Sequence, residues 1–338
     1  MNPNDPGSER SNTGLIDPFG RHIEYVRLSV TDRCNLRCTY CMPKGFDDFE
    51  IPDEWLSFEE IEQLMQAFAS MGLKRIRLTG GEPLVRRNLP ELISRLSAIP
   101  GIEDLSLSSN AVLMERQAQE LKQAGVTRLN ISLDTLRADR FTEITGGGRL
   151  DKAMAGLMAA KAAGFAPIKI NMVAMKGVND DEYEAMVDFC IEHDFTLRFI
   201  ETMPVGSAGR WASSHYHDLG EVRKQLKQRF DLVPGVMSGG GPARYERVNG
   251  TELRIGFITP ISRHFCETCN RVRLSADGQL YLCLGQNARY DLRKVLRSGV
   301  DEAGLQAAIN EALALKPQRH EFKENPEQVT RLMSMTGG

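Results

Sequence analysis

The sequence lacks several features that would place it in a broad class at once. It has no apolar run of about 18 residues, so we expect no membrane span. Its 42 Lys and Arg stand against 45 Asp and Glu, a formal net charge of −3, so it lacks the positive excess typical of nucleic-acid-binding proteins. The first 14 residues contain no apolar segment of an export signal, and their polar composition predicts a disordered arm. The seven cysteines are an odd number, which with the missing signal favours a reducing cytoplasm and metal ligation over disulfides.

Three cysteines stand close together in the segment Cys34-Asn35-Leu36-Arg37-Cys38-Thr39-Tyr40-Cys41. Three thiolates on one loop can hold three irons of a 4Fe–4S cluster and leave the fourth iron open to a substrate or cofactor. A structural zinc loop is the alternative from spacing alone. The C-x3-C-x2-C spacing, followed by Met42-Pro43, resembles the radical S-adenosylmethionine (SAM) enzymes. In those enzymes the open iron binds SAM, and one electron cleaves SAM to methionine and a 5′-deoxyadenosyl radical.

Strand patterns alternate with helix patterns between about residue 25 and residue 230. The strand candidates are residues 25–31, 74–79, 104–109, 128–134, 167–173 and 196–201. The helix candidates are residues 57–71, 88–98, 115–124, 135–144, 151–163, 180–193 and 218–229. Repeated strand-then-helix order indicates an α/β fold with a parallel sheet, and six such units predict a partial, open (β/α)6 barrel. We expect this barrel domain over residues 15–234 and a C-terminal domain over residues 235–338.

Polar side chains alternate with apolar ones along the strand candidates. Arg27, Arg77 and Lys169 stand on faces that otherwise hold small polar residues, while the opposite faces are apolar. If the apolar faces pack on helices, the polar faces line the barrel interior, where an uncompensated cation costs several kcal/mol. We therefore expect a polar, anionic ligand inside the barrel. An antiparallel sheet with one solvated face is the alternative.

The turn Thr79-Gly80-Gly81-Glu82-Pro83 follows the second strand candidate directly. Two glycines allow the backbone to approach a ligand closely, and Glu82 offers an acceptor for an ammonium group. The turn is expected at the strand ends where parallel barrels bind their ligands. It resembles the GGE motif of the radical SAM enzymes, which contacts the SAM amino group, and Tyr40 resembles the aromatic residue that borders the adenine.

A second cysteine group lies near the C-terminus. Two residues separate Cys266 from Cys269, and thirteen residues separate Cys269 from Cys283. The dipeptide Asp277-Gly278 between them predicts a two-residue hairpin turn, which would pair Val272 with Cys283. The hairpin would bring three thiolates together, again without a fourth cysteine. These features predict a second iron–sulfur site in the C-terminal domain.

His264 leaves an alternative open at this second group, because it could complete a Cys3His zinc site. Arg263, Arg271 and Arg273 lie close to the cysteines in the sequence. A structural zinc does not need three guanidinium groups, whereas a nucleotide beside a cluster does. The arginines therefore favour a nucleotide site.

Longer segments of the chain resemble the GTP 3′,8-cyclase family, which catalyses the first step of molybdenum cofactor (molybdopterin) biosynthesis. The matching segments are residues 26–35, 80–83, 131–135, 169–173, 177–180, 198–201 and 270–273, with the second cysteine triad and the terminal Gly337-Gly338. The resemblance covers roughly residues 15–338. Two cysteine triads combined with Asn-Arg-x-Arg and a terminal Gly-Gly form a highly specific combination.

The resemblance implies a reaction and its participants. The 5′-deoxyadenosyl radical abstracts the ribose 3′-hydrogen of GTP, and the carbon radical attacks C8 of guanine to give (8S)-3′,8-cyclo-7,8-dihydro-GTP. Two 4Fe–4S clusters are implied, one on Cys34, Cys38 and Cys41, the other on Cys266, Cys269 and Cys283 with its open iron toward guanine. The residues implied for SAM are Tyr40, Gly81, Glu82, Ser132 and Met203. The residues implied for GTP are Arg27, Arg75, Arg77, Ser108, Lys169, Arg198, Arg271, Val272 and Arg273.

Two positions need separate comment. Ala111 stands where the family has glycine, and it would strain the turn if the turn required a positive φ. A terminal Gly-Gly is usually frayed, but in the family the tail enters the active site. The resemblance therefore implies a catalytic role for Gly337 and Gly338.

The resemblance also implies partners. These are an electron donor such as a flavodoxin or ferredoxin, and a downstream cyclic pyranopterin monophosphate synthase. We expect a cytoplasmic monomer or homodimer that binds neither nucleic acid nor a membrane. Two other hypotheses stay open: a radical SAM enzyme with an auxiliary cluster that modifies a peptide, and a non-catalytic iron–sulfur or zinc scaffold.

Overall fold

Six strands lie side by side in chain order and form the centre of one sheet. The computed structural model describes residues 14–43, 45–47, 49, 52–237 and 239–337, so most of the expected N-terminal arm lies outside the described residues. The central strands are Tyr25–Ser29 (β1), Arg75–Thr79 (β2), Asp104–Ser109 (β3), Arg128–Ser132 (β4), Ile168–Ala174 (β5) and Thr196–Glu201 (β6). Each pairs in parallel with the next, which confirms the predicted order of strand–helix units.

Helices connect these strands where the sequence predicts them. They are Phe58–Ser70 (α1), Leu89–Ser97 (α2), Ala118–Ala124 (α3), Ala138–Ile144 (α4), Leu150–Ala162 (α5), Tyr183–Glu192 (α6), Gly209–Ser214 (α7) and Leu219–Leu226 (α8). A capping box begins α1, because Ser57 Oγ accepts the Glu60 N–H at 3.1 Å and the Glu60 carboxylate accepts the Ser57 N–H at 2.8 Å. Helix α7 was not predicted, since six residues are too few for a periodic pattern.

The C-terminal third of the chain adds strands to both edges of this centre. They are Leu232–Gly235 (β7), Arg244–Val248 (β8), Arg254–Ile258 (β9), Arg271–Leu274 (β10), Gln279–Tyr281 (β11) and Arg289–Asp291 (β12). The last helices are Leu292–Arg297 (α9), Glu302–Ala314 (α10) and Met333–Thr336 (α11). Strand β9 pairs in parallel with β6 and β10 pairs in parallel with β1, in the open order β12-β11-β10-β1-β2-β3-β4-β5-β6-β9-β8-β7. The parallel part is thus two strands wider than the six predicted units.

The hairpin of β10 and β11 differs from the predicted register. Arg273 pairs with Tyr281, whereas the prediction placed each partner one residue farther along the chain. The loop has three residues instead of two, because the Gly278 N–H donates to Ser275 O at 3.0 Å and Gly278 itself adopts a φ of +83°. A type I turn followed by a left-handed glycine is the usual three-residue hairpin loop. The predicted register was wrong, but Cys283 still follows β11 and returns toward the start of β10.

The two faces of the parallel strands divide as the alternation predicts. Val26 and Ile76 are buried in the main apolar core together with helix residues such as Phe68. Their strand neighbours Arg27 and Arg77 instead line an interior cavity. The alternative of an antiparallel sheet with one solvated face is therefore wrong for these strands. In the part of the chain that the structure describes, no helix has the length and apolarity needed to cross a bilayer.

Ala111 occupies a strained turn just after β3. Its φ is +63°, a conformation that favours glycine and costs an L-residue about 1–2 kcal/mol. Helix α5 packs directly on this turn, because a Cβ on Gly156 would stand 1.9 Å from the Ala111 carbonyl oxygen. The turn therefore requires the positive φ, and alanine adopts it.

Candidate active site

The first cysteine triad lies on the loop after β1, at the carboxyl ends of the parallel strands. The loop turns back on itself, since the N–H groups of Cys41 and Met42 both donate to Cys38 O, at 2.9 and 3.0 Å. The Arg37 N–H anchors it by donating to Thr145 O at 2.9 Å, just after α4. These bonds hold the three thiols on the wall of one cavity.

The thiols of this triad are buried close to one another. Burial raises the pKa of Cys34 to about 11 and that of Cys41 to about 12. Burial also raises the pKa of Cys38, and the charge of Cys41 is the next cause. The thiolate is the metal-binding form of cysteine, so three neighbouring thiols become ligands together only when a bound cationic group compensates their charge. The donor set therefore suits a metal group.

The Gly80-Gly81 turn packs directly on the cysteine loop. A Cβ on Gly80 would stand 2.0 Å from Thr31 O, and one on Gly81 would stand 2.2 Å from Arg33 O. The Gly81 N–H donates to Thr31 O at 3.0 Å, and the Glu82 N–H donates to Arg33 O at 2.9 Å. Only glycine fits at both positions, so the turn and the loop form one structural unit.

The Glu82 carboxylate joins this unit to the end of β3. It accepts hydrogen bonds from the Leu84 N–H at 3.1 Å, the Ser109 hydroxyl at 2.9 Å and the Asn110 N–H at 2.7 Å. Burial raises the pKa of Glu82 to about 7, although each of these hydrogen bonds favours the ionised form. A carboxylate has about four acceptor sites, so one remains for the ammonium group of a ligand.

Tyr40 is fixed at the same cavity by a buried carboxylate. Its hydroxyl donates to Asp134 at 2.7 Å, and the other Asp134 oxygen accepts the Val173 N–H at 2.8 Å. Burial raises the pKa of Asp134 to about 6. Asp134 was not among the predicted site residues, although it continues the polar alternation that begins with Ser132.

The residues implied for SAM lie together around this first cavity, which encloses about 1050 Å³ of empty volume including its open mouth. The residues are Tyr40, Gly81, Glu82, Ser132 and Met203. Ser108, which the resemblance implies for GTP, lines this cavity as well.

A second cavity adjoins the first and is lined by cations. The guanidinium-bearing residues on its wall are Arg27, Arg77, Arg198, Arg271 and Arg273. Among the residues that the structure describes, none of these side chains has a carboxylate within 4.0 Å. The Nε atoms of Arg27, Arg198 and Arg271 are buried without a hydrogen-bond partner in the same part of the chain. Val272 lines this cavity too.

The pKa shifts reflect this concentration of positive charge. Burial lowers the pKa of Arg77 and of Arg198 to about 10 each. Burial and the charge of Arg198 lower the pKa of Lys169 to about 7. Burial alone would raise the pKa of Tyr25, but the charges of Arg77 and Arg27 make the overall shift downward. Buried cations without counter-ions are costly, so the cavity is suited to an anion.

A third, smaller cavity holds the remaining predicted cations. Arg75 and Lys169 line it, and it shares Arg77 and Arg198 with the second cavity. Arg75 Nη1 lies 2.8 Å from a Glu24 carboxylate oxygen, so its charge is partly compensated. In contrast, no described carboxylate lies within 4.0 Å of Lys169. The structure therefore brings the predicted cations together, with Arg75 the least available of them.

The second cysteine triad lies at the amino ends of the parallel strands. Cys266 and Cys269 precede β10, which runs parallel to β1, and Cys283 follows the antiparallel β11. All three line the second cavity. Because the first triad follows β1, the two triads lie at opposite ends of the same strands, and a five-residue strand spans roughly 17 Å.

Each cysteine of the second triad contacts one basic side chain. The contacts are Arg21 Nη1 to Cys266 O at 2.7 Å, Lys316 Nζ to Cys269 Sγ at 3.7 Å and Arg331 Nη2 to Cys283 O at 2.9 Å. Burial would raise the pKa of Cys269, but Lys316 and Arg271 lower it overall. None of the three basic residues was predicted, because single basic residues far from a motif leave no pattern in a sequence.

His264 does not face the second cavity that the triad lines. Its side chain is 40% exposed and its Nδ1 lies 3.5 Å from Glu267. Both cysteine triads border cavities.

The first and second cavities meet inside the barrel. Asn171, Ile200 and Met203 line both of them. Asn171 Oδ1 is buried and has no hydrogen-bond partner among the described residues. The two triads therefore open toward each other through one connected space.

The C-terminal tail enters this space. Gly337 is buried with a φ of +70°, and a Cβ on it would stand 2.2 Å from Thr79 Oγ1. Arg273 Nη1 donates to Thr336 O at 3.1 Å and also to Gly337 O. The tail is therefore packed as far as Gly337, and Gly338 lies outside the described residues.

Comparisons with known proteins agree with this geometry. Residues 28–190 match the Radical SAM superfamily, and residues 195–322 match Molybdenum Cofactor Synthesis C. The chain is 49% identical over 329 residues to GTP 3′,8-cyclase 1 of Pseudomonas aeruginosa, with 96% of this chain and 100% of that protein covered. It is 45% identical over 329 residues to GTP 3′,8-cyclase of Hydrogenovibrio crunogenus, with 96% and 99% covered. The fold is similar to Streptococcus suis SuiB bound to S-adenosylmethionine, at TM-score 0.59, 15% identity, and 85% and 68% coverage.

Proposed function

This chain belongs to the GTP 3′,8-cyclase family, and we propose that its reaction takes place in the connected cavities between its two cysteine triads. The enzyme is a radical SAM lyase. It catalyses the first step of molybdenum cofactor biosynthesis, the cyclisation of GTP to (8S)-3′,8-cyclo-7,8-dihydro-GTP. The open parallel barrel carries the first cysteine triad, and the C-terminal extension carries the second, so the two ends of the reaction space are lined by different residues.

The observation that carries the proposal is the set of buried cations between the triads. Arg27, Arg77 and Arg198 have no carboxylate partner in the described part of the chain, although burial penalises their charge. A triphosphate supplies the missing negative charge, and a low-dielectric wall strengthens the attraction. A peptide substrate gives no such reason for the cations, so the nucleotide is favoured over the peptide hypothesis.

The cysteines fit two 4Fe–4S clusters. The residues that would hold them are Cys34, Cys38 and Cys41 at one end, and Cys266, Cys269 and Cys283 at the other. When bound, the first cluster and SAM would supply a 5′-deoxyadenosyl radical for removal of the ribose 3′-hydrogen of GTP, and the second cluster would offer its open iron to the guanine.

The chain's own residues would orient SAM at the first cavity. Gly81 brings the backbone within reach of the amino group, and Glu82 has one acceptor site left for it. The Tyr40 ring, held by Asp134 at 2.7 Å, would border the adenine. Ser132 and Met203 would complete the contacts, and Ser108, which the resemblance implies for GTP, lies on the wall of this first cavity.

The substrate would be held by fixed guanidinium groups. Arg271, Val272 and Arg273 lie beside the second triad, where they would contact GTP near its base. Arg77, Arg198 and Lys169 would bind phosphate oxygens, with Arg75 as a weaker contact because Glu24 already pairs with it. Fixed contacts at both ends of the nucleotide position a single ribose hydrogen for removal, and this positioning supplies the selectivity.

The partners and the organisation of the chain follow from this chemistry as proposals. Cleavage of SAM requires one electron, which supports a donor such as a flavodoxin or ferredoxin. The cyclised product is the substrate expected for a cyclic pyranopterin monophosphate synthase. All seven cysteines are free thiols, which agrees with a reducing cytoplasm. We assign SAM binding to residues 15–234 and the second cluster to residues 235–338, in a monomer or homodimer.

Anaerobic reconstitution tests the proposal. The loaded protein should contain about eight irons per chain, form 5′-deoxyadenosine only when GTP is present with SAM and reductant, and yield the cyclised nucleotide. The Cys269→Ala variant should keep the first cluster and lose GTP cyclisation. A fully loaded protein that cleaves SAM equally well without GTP, and forms no cyclised product, would overturn the proposal.

A further inference from the structure

Lys316 places a buried ammonium group against the second cysteine triad. The residue is 3% exposed and follows directly after α10. Its Nζ lies 3.7 Å from Cys269 Sγ, 3.0 Å from Arg271 O and 2.5 Å from Leu282 O. An ammonium group has three N–H donors, so all three are used at this position.

The charge of Lys316 has one candidate counter-ion. No carboxylate lies within 4.0 Å of its Nζ among the residues that the structure describes. Two of its three acceptors are neutral carbonyl groups, and the third is a sulfur that can be a thiolate. Burial of an ammonium group without a counter-ion costs several kcal/mol, and a negatively charged cluster held at Cys269 would offset that cost.

The two carbonyl contacts also fix the relative position of two ligands. Arg271 lies on β10, two residues after Cys269, and Leu282 directly precedes Cys283. Lys316 therefore bridges the backbone segments on which two of the three thiols are placed. Among the described residues, neither Arg21 nor Arg331 donates a hydrogen bond to a sulfur atom; each binds a cysteine carbonyl instead.

The first triad has a basic contact of a different kind. Arg37 Nη1 donates to Cys34 O at 2.7 Å. The donors to Cys34 Sγ are neutral, namely the Leu36 N–H at 3.4 Å and Asn110 Nδ2 at 4.0 Å. In the described part of the chain, the charged donor to a cysteine sulfur therefore belongs to the second triad.

We propose that Lys316 is a positioning residue of the second cluster, which donates a hydrogen bond to the Cys269 sulfur and raises the reduction potential of that cluster. Cluster potentials depend on net charge and on hydrogen bonds to sulfur, and Lys316 contributes both at one ligand. The inference rests on the proposed function only in requiring that the second triad binds a cluster.

The experiment is a redox titration of the anaerobically reconstituted full-length chain, followed by electron paramagnetic resonance. The variants are Lys316→Met, which removes charge and donors, Lys316→Gln, which keeps donors without charge, and Lys316→Arg, which keeps charge. Lys323→Met is the matched control, because Lys323 is exposed seven residues farther along the chain. Iron content and the separate electron paramagnetic resonance signal of the first cluster report on that cluster.

We expect the potential of the second cluster to become more negative in Lys316→Met and Lys316→Gln. At a fixed potential the oxidised-to-reduced ratio should rise about tenfold, which is about 59 mV for one electron. Lys316→Arg and Lys323→Met should stay near the wild type, and the first cluster should not shift in any variant.

Three outcomes would overturn the proposal. The first is an unchanged second-cluster potential in Lys316→Met at full iron content. If Lys316→Met does not keep the second cluster, an unchanged potential of that cluster in Lys316→Gln overturns the proposal instead. Loss of the second cluster from all three variants would assign Lys316 a structural role only. A wild-type protein with about four irons per chain would instead refute the second cluster itself, independently of Lys316.

Discussion

Arg273 donates a hydrogen bond from its guanidinium group to the carbonyl oxygen of Gly337, next to the end of the chain. The same nitrogen also donates to Thr336 O at 3.1 Å. Arg273 is 6% exposed and no described carboxylate lies within 4.0 Å of it. A residue proposed to bind substrate therefore also holds the tail in the barrel, so tail position and substrate position are physically connected.

Gly337→Ala should abolish most cyclisation while both clusters remain bound. The φ of +70° strains an alanine, and its Cβ would stand 2.2 Å from Thr79 Oγ1, so the tail must leave its position. We expect kcat to fall about 100-fold, as is typical when a reacting group is displaced by about 1 Å. Product formation and iron content are measured on the same sample.

Gly250→Ala is the matched control for this variant. Gly250 has a similar φ of +78°, and no atom lies within 4 Å of a Cβ built on it. It therefore reproduces the backbone strain without the collision, and its turnover should stay near the wild type. Normal turnover by Gly337→Ala would contradict a catalytic role for the tail.

Arg77→Met should weaken GTP binding and stabilise the free protein. Arg77 is buried and has no carboxylate partner among the described residues, and its side-chain hydrogen bond to Ser106 Oγ is long at 3.4 Å. Loss of a buried phosphate contact should raise the Kd for GTP about 100-fold. Removal of a buried, uncompensated charge should raise the free energy of unfolding by about 1 kcal/mol.

Equilibrium binding and denaturant unfolding of the nucleotide-free protein measure the two effects. Arg244→Met, at an exposed position on β8, should change neither quantity. If Arg77→Met binds GTP normally, or is less stable than the wild type, Arg77 is not an uncompensated cation in an anion-binding site.

Local patterns in the sequence predicted most of the barrel and of the first site. The Ser57-x-x-Glu60 box, the polar alternation of β1 to β6 and the Gly80-Gly81 turn each depend on neighbours in the chain, so the sequence contains them. The two glycines were predicted to allow a close backbone approach to a ligand, and the structure shows that they are also required for a close approach to Thr31 O and Arg33 O of the cysteine loop.

The features that the sequence did not predict depend on distant contacts. The parallel pairing of β10 with β1 joins segments more than 240 residues apart, and it sets the second triad at the amino end of the barrel. Lys316 follows α10 without any surrounding pattern, so its contact with Cys269 could not be foreseen. The hairpin register was missed by one residue because Asp277-Gly278 is compatible with loops of two or three residues.

Ala111→Gly should stabilise the protein. Glycine removes the penalty of about 1–2 kcal/mol for a positive φ, and the greater freedom of the unfolded chain offsets about 0.4–1 kcal/mol of that gain. We expect a net increase of about 0.5–1 kcal/mol in the free energy of unfolding, measured by denaturant titration. In Ala307→Gly, at an exposed position in α10, the free energy of unfolding should instead fall by about 1 kcal/mol. An equal decrease of the free energy of unfolding in Ala111→Gly and Ala307→Gly would show that the turn at Ala111 is not strained.

Lys169 should make the stability of the free protein depend on pH. Burial, with Arg198 as the next cause, lowers its pKa from 10.5 to about 7 in the folded chain. Between these two values the unfolded chain binds a proton that the folded chain does not, so this contribution makes stability rise with pH. Lys169→Met should therefore stabilise the free protein most at and below pH 7, and the difference from the wild type should fade toward pH 10. A difference that grows with pH would contradict the lowered pKa.

The same group should couple GTP binding to proton uptake. Near pH 8 the Lys169 amine is mostly neutral in the free protein, because its pKa is about 7, and a bound phosphate favours the charged form. Binding should then take up close to one proton at pH 8, measured by calorimetry in buffers with different ionisation enthalpies. The uptake should disappear in Lys169→Met, whose affinity also falls. In Arg77→Met the proton uptake should persist, because the phosphate still faces Lys169. Undiminished proton uptake in Lys169→Met would show that the titrating group is another residue.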